Sequence, residues 1–477
     1  MKDAFSHFKL DDKIMKSIKE LGFKKPTPIQ SKVIPHLLGS NQDLIATAQT
    51  GTGKTAAFGL PLLQLTDTNS NKIQTLILCP TRELCLQIGK DLSTYSKYLK
   101  NINTISVYGG AKIDKQIRSL KKGPQIIVGT PGRTKDLIKR KKLFLGNIKQ
   151  LVLDESDEML SMGFKDDLEF IIRSASKEKQ ILLFSATMNS KVNAVTKKYM
   201  KNPLEISVAS VNRAAENVDH LFYVVQARDR YEVVKRVADM NPNIYGIVFC
   251  RTRRETKEVA NKLMNDHYNA DTIHGDLTQN ERDDVMRRFR KRQLQILVAT
   301  DVAARGLDVE ELTHVINYNL PDDDEIYVHR SGRTGRAGKN GISIAIIHGR
   351  EHRRIKEIEQ KSGISFKRQN VPNGLEICKK RLYTLIDKIE KVKVNEDQIE
   401  QFLPYIYDKL NWLDREQLIK HFVSTEFNRY LSYYRDARDI NIESYSREKV
   451  LRKKPKRKRR KFFGSKKNRK NRRRKSS

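Results

Sequence analysis

No run of about 18 apolar residues occurs in this 477-residue chain, so no helix spanning a membrane is expected. The first residues, Met1-Lys-Asp-Ala-Phe, have no apolar signal core, and the expected location is cytoplasmic. Cysteine is scarce: Cys79, Cys85, Cys250 and Cys378 fit no zinc spacing and are too few for a disulfide framework, so free, mostly buried thiols are expected. Acidic charge is also short. The chain has 57 Asp+Glu against 93 Lys+Arg, a net +36. From Arg447 onward 19 basic residues face one acidic residue, so this short tail carries half of the excess. Blocks of this kind do not fold and commonly bind nucleic acid. A solubility tail, a nuclear-localisation signal and a contact to anionic lipid are the other readings.

The length exceeds what one hydrophobic core usually supports, so two or more domains are expected. Short apolar runs alternate with helical patterns: Asp43–Ala46, Thr75–Cys79, Thr104–Val107, Gln125–Val128, Gln150–Leu153 and Gln180–Phe184. Such runs predict an α/β fold with a parallel sheet covered on both faces. A polar stretch at Ala209–Asn217 reads as a linker. The pattern then restarts with Gly246–Cys250, Asp271–Ile273, Gln295–Ala299, His314–Asn317 and Gly341–Ile347. From about Ser365 the texture is helical only. Leu382, Leu385, Ile386 and Ile389 form one stripe. Ile399, Phe402, Leu403, Ile406 and Leu410 form another, interrupted by Pro404, and Asp414-x-x-Gln417 reads as a capping box. The predicted domains are 1–208, 218–362, a helical region at 365–440 and a disordered basic tail at 447–477.

Two strings carry the chemistry. Ala48-Gln-Thr-Gly-Thr-Gly-Lys-Thr55 is a phosphate-binding loop, with Ala48 where the usual pattern opens with Gly. Gly51 and Gly53 let backbone N–H groups approach phosphates, Lys54 reaches the terminal phosphates, and Thr55 faces Mg²⁺. About a hundred residues later an apolar strand ends in Asp154-Glu-Ser-Asp157. Asp154 suits the Mg²⁺ shell through water, and Glu155 suits orientation of the attacking water. Alone, such an acidic run is often a solvated strand end. Together and in this order the two strings predict a nucleoside triphosphatase using ATP and Mg²⁺. In the second domain, Tyr327-Val-His-Arg-Ser-Gly-Arg-Thr-Gly-Arg336 places Arg330, Arg333 and Arg336 at spacing three, able to reach one anionic site as arginine fingers.

From Phe5 to His348 the ordered motif set resembles the DEAD-box ATP-dependent RNA helicases. Gly22-Phe-Lys-Lys-Pro-Thr-Pro-Ile-Gln30 resembles the adenine-reading motif, with Phe5 as its upstream aromatic. Pro80-Thr-Arg-Glu-Leu84, Gly109-Gly110 and Thr130-Pro-Gly-Arg133 resemble the strand-gripping motifs, and Ser185-Ala-Thr187 the coupling motif. Val248-Phe-Cys-Arg-Thr252, His274-Gly275, Gln279-x-x-Arg282 and Ala299-Thr-Asp-Val-Ala-Ala-Arg-Gly-Leu-Asp308 match in the second domain. The resemblance implies two tandem RecA-like domains that close on ATP and RNA and separate short duplexes locally. It implies ATP contacts from Phe23, Thr27, Gln30, Gln49, Thr50, Gly51, Thr52, Gly53, Lys54, Thr55 and Asp308. Catalysis would fall to Lys54, Asp154, Glu155, Arg333 and Arg336, and coupling to Ser185, Thr187, Asp157 and His329. RNA contacts are implied at Arg82, Gly110, Thr130, Arg133, Arg251, Thr252, Gly275 and Thr300. Ser156 departs from the family, where alanine is usual. The helical region resembles the dimerisation region of bacterial cold-shock members, which implies a homodimer. The cellular roles implied are ribosome assembly, translation or RNA decay, with protein partners to match. A DNA-directed helicase of the same superfamily and a non-enzymatic RNA-binding scaffold are the alternative readings.

Overall fold

The computed structural model describes residues 5–48, 51–208, 217–304, 309, 312–335 and 339–442. Gln49, Thr50, Asp308, Arg336, most of the linker and the basic tail with Phe462 and Phe463 lie outside the described residues.

Among the described residues fourteen strands form two sheets of seven. The first contains β1 (Leu44–Thr47), β2 (Thr75–Leu78), β3 (Thr104–Val107), β4 (Ile126–Gly129), β5 (Gln150–Leu153), β6 (Gln180–Ser185) and β7 (Leu204–Ser207), in the order β3-β4-β2-β5-β6-β1-β7. The second contains β8 (Val218–Val224), β9 (Gly246–Phe249), β10 (Ala270–Ile273), β11 (Ile296–Ala299), β12 (His314–Asn317), β13 (Gly341–Ile347) and β14 (Phe366–Arg368), in the order β10-β11-β9-β12-β13-β8-β14. Adding seven to each strand of the first order gives the second, so one topology occurs twice. Every pairing is parallel.

Alternation along each strand supplies both faces of a sheet. Ile77 and Val152 enter one core, with Phe58 and Phe184, whose rings lie 5.1 Å apart. Their neighbours Leu76, Leu78, Leu151 and Leu153 enter the opposite core. In the second sheet Val248 and Val298 face one way, and Ile247, Phe249 and Leu297 the other. Removing one such buried leucine costs about 2–5 kcal/mol. Parallel strands also gather their C-terminal ends on one edge, where ligands bind in sheets of this class.

Strands β7, β8 and β14 were not expected. β7 and β14 each bury one residue, Ile206 and Phe366, so neither shows an alternating pattern. In β8, Asp219 and His220 interrupt the apolar run. The expectation of helix only from about Ser365 is therefore corrected: Phe366 pairs with His220, so the second sheet continues past that point.

Helices Gly374–Lys391, Glu396–Ile399, Leu403–Leu410 and Arg415–Tyr434 follow. Pro404 sits in the first turn of its helix, where its missing N–H costs nothing. Asp414 and Gln417 form the capping box. Arg236, 1% exposed, ties this region to the second sheet's helices: it donates to Glu232 at 2.8 Å, to the Pro372 carbonyl at 3.2 Å and to the Arg438 carbonyl at 2.9 Å. Asp239 accepts from Tyr268, Tyr434 and Arg381 beside it. Among the described residues no helix is long and apolar enough to cross a membrane.

Candidate active site

The phosphate loop follows β1 and runs into the helix Lys54–Leu65. Gly51 and Gly53 have φ of +82° and +86°, in the left-handed region that favours glycine. A Cβ on Gly53 would also stand 2.5 Å from Gln30 Nε2. Gln30 donates to the Gly53 carbonyl at 3.2 Å and forms a reciprocal capping box with Thr27. The adenine-reading segment is thus bolted to the phosphate loop. Phe23 is half-buried between Phe5 and Tyr95, at 6.1 and 6.2 Å. Lys54 is buried, and its ammonium donates to the Ala48 carbonyl at 3.0 Å. Thr52 and Thr55 flank Gly53 and Lys54 at the mouth of the same helix.

Asp154 and Glu155 follow β5. The Asp154 N–H donates to the Leu78 carbonyl at 2.9 Å, extending the ladder by one residue. Its carboxylate accepts from the Glu155 N–H at 3.0 Å. Glu155 has φ of +50°, a conformation that costs about 1–3 kcal/mol outside glycine and tends to occur at functional sites. Burial pushes both carboxyls above their ordinary range, and Lys54 opposes it for both. The Asp154 charge raises Glu155 further, and Arg333, in the second domain, partly offsets the rise. Arg333 therefore lies within electrostatic reach of Glu155.

Asp157 gathers the coupling segment. Its Oδ2 accepts from the Ala186 N–H at 3.2 Å and from the Thr187 N–H and hydroxyl, both at 3.0 Å. Ser185 Oγ donates to the Thr187 carbonyl at 2.7 Å. Ser156, 1% exposed, has a hydroxyl with no hydrogen-bond partner among the described residues, so the local bond its side chain could make is not formed.

Hydrogen bonds and ion pairs among the described residues join the two sheets' domains. His329 Nδ1 meets Glu158 at 2.8 Å, and the Thr187 hydroxyl lies 3.2 Å from Glu325. Arg82 donates to Asp283 at 2.9 Å, and Arg282 pairs with Glu83 at 3.0 Å. Glu158, Glu325, Asp283 and Glu83 were missed in the sequence. They lie 138 to 201 residues from their partners, and short acidic side chains on helices carry no local signal.

Arg330 requires a correction. It does not share an anionic site with Arg333. Its guanidinium, 3% exposed, is held by Asp301 at 2.5 and 2.7 Å, by Asn317 at 2.9 Å and by the Asn319 carbonyl at 2.8 Å. The helix Asp324–Ser331 ends between the two arginines: Arg330 lies in its last turn and points into the core, whereas Arg333 lies in the turn beyond it.

The expected RNA contacts sit at equivalent places on the two sheets. Arg82, Gly110, Thr130 and Arg133 follow β2, β3 and β4. Arg251, Thr252, Gly275 and Thr300 follow β9, β10 and β11, their counterparts in the repeated order. Arg82 stacks on Tyr108 at 5.0 Å, and its Nε and Nη1 have no hydrogen-bond partner among the described residues. Gly110 has φ of +80°. Arg133 braces the loop before it through Gln116 at 2.9 Å and the Ala111 carbonyl at 3.1 Å. Arg251 bonds the Leu320 carbonyl and Asp322, Thr252 caps the helix Arg253–Asn265, and Thr300 is buried under the turn at Ala304.

The two-sheet architecture and this motif set define a nucleotide-driven helicase. Residues 27–195 match the family model for DEAD/DEAH box helicases, and residues 229–338 that for the helicase conserved C-terminal domain. Residues 377–435 match the model described as the helical domain of a probable ATP-dependent RNA helicase. The ATP-dependent RNA helicase CshA of Listeria monocytogenes is 43% identical over 410 residues, 86% of this chain and 78% of that one. The DEAD-box helicase CshA of Bacillus cereus is 43% identical over 394 residues, 83% of this chain and 75% of that one. S. cerevisiae Dbp5 bound to RNA and ADP BeF3 superposes with a TM-score of 0.71 at 30% identity, over 80% of this chain and 100% of that one. Mss116p bound to ssRNA and AMP-PNP gives 0.68 at 28% identity, over 88% and 85%. The chain belongs to the DEAD-box ATP-dependent RNA helicases.

Proposed function

We propose that ATP occupies the phosphate loop of the first domain, that RNA crosses the C-terminal ends of both sheets, and that closure separates short duplexes locally. The observation that carries the reading is the His329–Glu158 contact at 2.8 Å, which holds the domain carrying Arg333 against the one carrying Lys54, Asp154 and Glu155. Thr27, Gln30 and Phe23 take the adenine. The backbone at Gly51–Thr55 and the Lys54 ammonium take the phosphates. Thr55 and Asp154 would hold Mg²⁺ through water, and the cation supplies positive charge to the phosphate oxygens. The raised carboxyls at 154 and 155 suit a neighbour of that charge. Glu155 orients the attacking water, and Arg333 stabilises charge on the transferred group, with Arg336 in the same role. Asp157, Ser185, Thr187 and His329 link hydrolysis to cleft movement.

RNA-stimulated ATP turnover with Glu155→Gln tests the reading. Loss of turnover with retained RNA binding supports it. Full turnover overturns the assignment of Glu155. Matched RNA and DNA strands in the same assay discriminate the nucleic acid, because 2′-OH contacts mark RNA.

The helical region supports a homodimer. Between Gly374 and Asn441, 12 basic residues balance 12 acidic ones, unlike the rest of this cationic chain. Phe402, Tyr405, Ile406 and Trp412 are exposed, the last at 69%. A neutral surface rich in aromatics suits protein rather than RNA. Sedimentation of Trp412→Ala beside the parent chain tests it, with a shift toward monomer expected.

A further inference from the structure

The N-terminal edge of the first sheet lies opposite the cleft and takes no part in the site above. All seven strands are parallel, so the loops entering them share this edge. Those loops, 40–43, 66–74, 96–103, 121–125, 140–149, 175–179 and 200–203, hold twelve Lys and Arg against Asp43, Asp67 and Glu178. Read in spatial order, Lys100 precedes β3, Lys122 β4, Lys72 β2, Lys149 β5, Lys179 β6 and Lys201 β7. Strands lie about 4.8 Å apart, so the row extends roughly 29 Å. Only β1 lacks a cation, and its Asp43 is buried, accepting from the Ile181 and Lys201 N–H groups at 2.7 Å. Lys72, Lys122, Lys142 and Lys149 are exposed and make no ion pair among the described residues.

The fold does not require this row. In the second sheet the loops before β9, β10 and β11 (241–245, 266–269 and 291–295) hold Lys291 and Arg292 against Asp266. Both sheets present helix C-termini on this edge, so helix dipoles, which favour cations there, do not account for the difference. Two further features accompany the charge. Phe144 is 69% exposed in the loop that also carries Arg140, Lys141 and Lys142. At the β3–β4–β2 end, Asn69, Asn71, Asn101, Asn103 and Lys122 line a groove of about 460 Å³. Cations tracking a backbone, an aromatic for a base and amides for base edges are the components of a single-strand surface.

We propose that this edge is a second RNA-binding surface, which holds RNA flanking the segment in the cleft. The proposal rests on RNA being the ligand of the cleft, and two substrates keep the readings apart. A single strand of about ten nucleotides fills the cleft, whereas one of about 40 can also reach the edge. In the full chain, Lys72, Lys122, Lys142 and Lys149 are replaced together by Gln. Each phosphate contact on a single strand contributes about −0.7 to the slope of log affinity against log salt. The slope on the long RNA should become shallower by about 2 to 3, while turnover stimulated by the short strand is unchanged. Phe144→Ala should weaken long-RNA binding at least threefold and leave the short strand unaffected. An unchanged slope together with an unchanged Phe144→Ala affinity overturns the proposal and favours an acidic protein as the occupant. Failure of the short strand to stimulate the parent chain would instead overturn the cleft reading.

Discussion

His329 of the second domain and Glu158 of the first meet at 2.8 Å across the cleft. Burial alone would lower the imidazole's pKa, but the hydrogen bond to Glu158 and the charges of Asp157 and Glu155 outweigh it, and the net direction is upward. In an open cleft His329 loses this partner and returns to an ordinary value near 6.5. The closed form therefore gains from protonation. That gain is fully present below the open-state value and is lost as pH rises through the raised closed-state value. RNA affinity in the presence of a non-hydrolysable ATP analogue should fall as pH increases from about 6 to about 9. His329→Gln should flatten the profile. A parent profile that is already flat would remove His329 from the closing equilibrium.

Thr187 has one hydroxyl proton and two carboxylates in reach, Asp157 at 3.0 Å and Glu325 at 3.2 Å. Asp157 already accepts two backbone N–H groups from this segment. Glu325→Gln turns the outer partner into a donor, so amide, hydroxyl and Asp157 can bond in series. Closed-state RNA affinity should hold or rise, and turnover should fall as reopening slows. Glu325→Ala removes the contact and should weaken closed-state affinity by about tenfold, the scale of one charged hydrogen bond. Equal effects of the two substitutions would show that the carboxylate acts only through long-range charge.

Much of this site was legible because most of its motifs follow a strand. Apolar runs ending at Cys79, Leu153 and Phe184 predicted both a parallel sheet and the edge where its ligands collect. The phosphate loop was legible from glycines, since Gly51 and Gly53 need φ that other residues avoid. The partner of each cross-cleft group was not. Nothing local distinguishes Glu325 from a helix-capping acid, or Arg330 from Arg333, until Asp301 and Asn317 are placed beside one of them. β14 was missed because Lys367 and Arg368 are exposed and Phe366 alone cannot show a period of two.

The buried Ser156 hydroxyl has no hydrogen-bond partner among the described residues. An unsatisfied buried polar atom costs about 1–3 kcal/mol. Ser156→Ala removes that cost and adds almost no cavity. Thermal unfolding of the variant should occur at the same temperature or a few degrees higher, with RNA-stimulated turnover unchanged. A clear loss of stability would mean that the hydroxyl bonds to something in solution, such as ordered water.

Arg330 and Arg333 stand three residues apart, yet their substitutions should fail in different ways. Arg330 is 3% exposed and fully engaged with Asp301, Asn317 and the Asn319 carbonyl. Arg330→Ala leaves the Asp301 carboxylate and two other acceptors without their donor. Breaking one partner of a buried pair typically costs about 3–5 kcal/mol. The variant should unfold at visibly lower temperature, with turnover lost in proportion to unfolded protein. Arg333 is only half-buried and influences Glu155 across the cleft. Arg333→Ala should keep the parent's unfolding temperature and ATP affinity while RNA-stimulated turnover falls by at least ~10², a cautious share of what arginine fingers supply. Melting curves and turnover on both variants separate the cases. If Arg330→Ala melts like the parent and loses turnover as steeply as Arg333→Ala, Arg330 acts on the phosphates after all, and its role as a structural bolt is wrong.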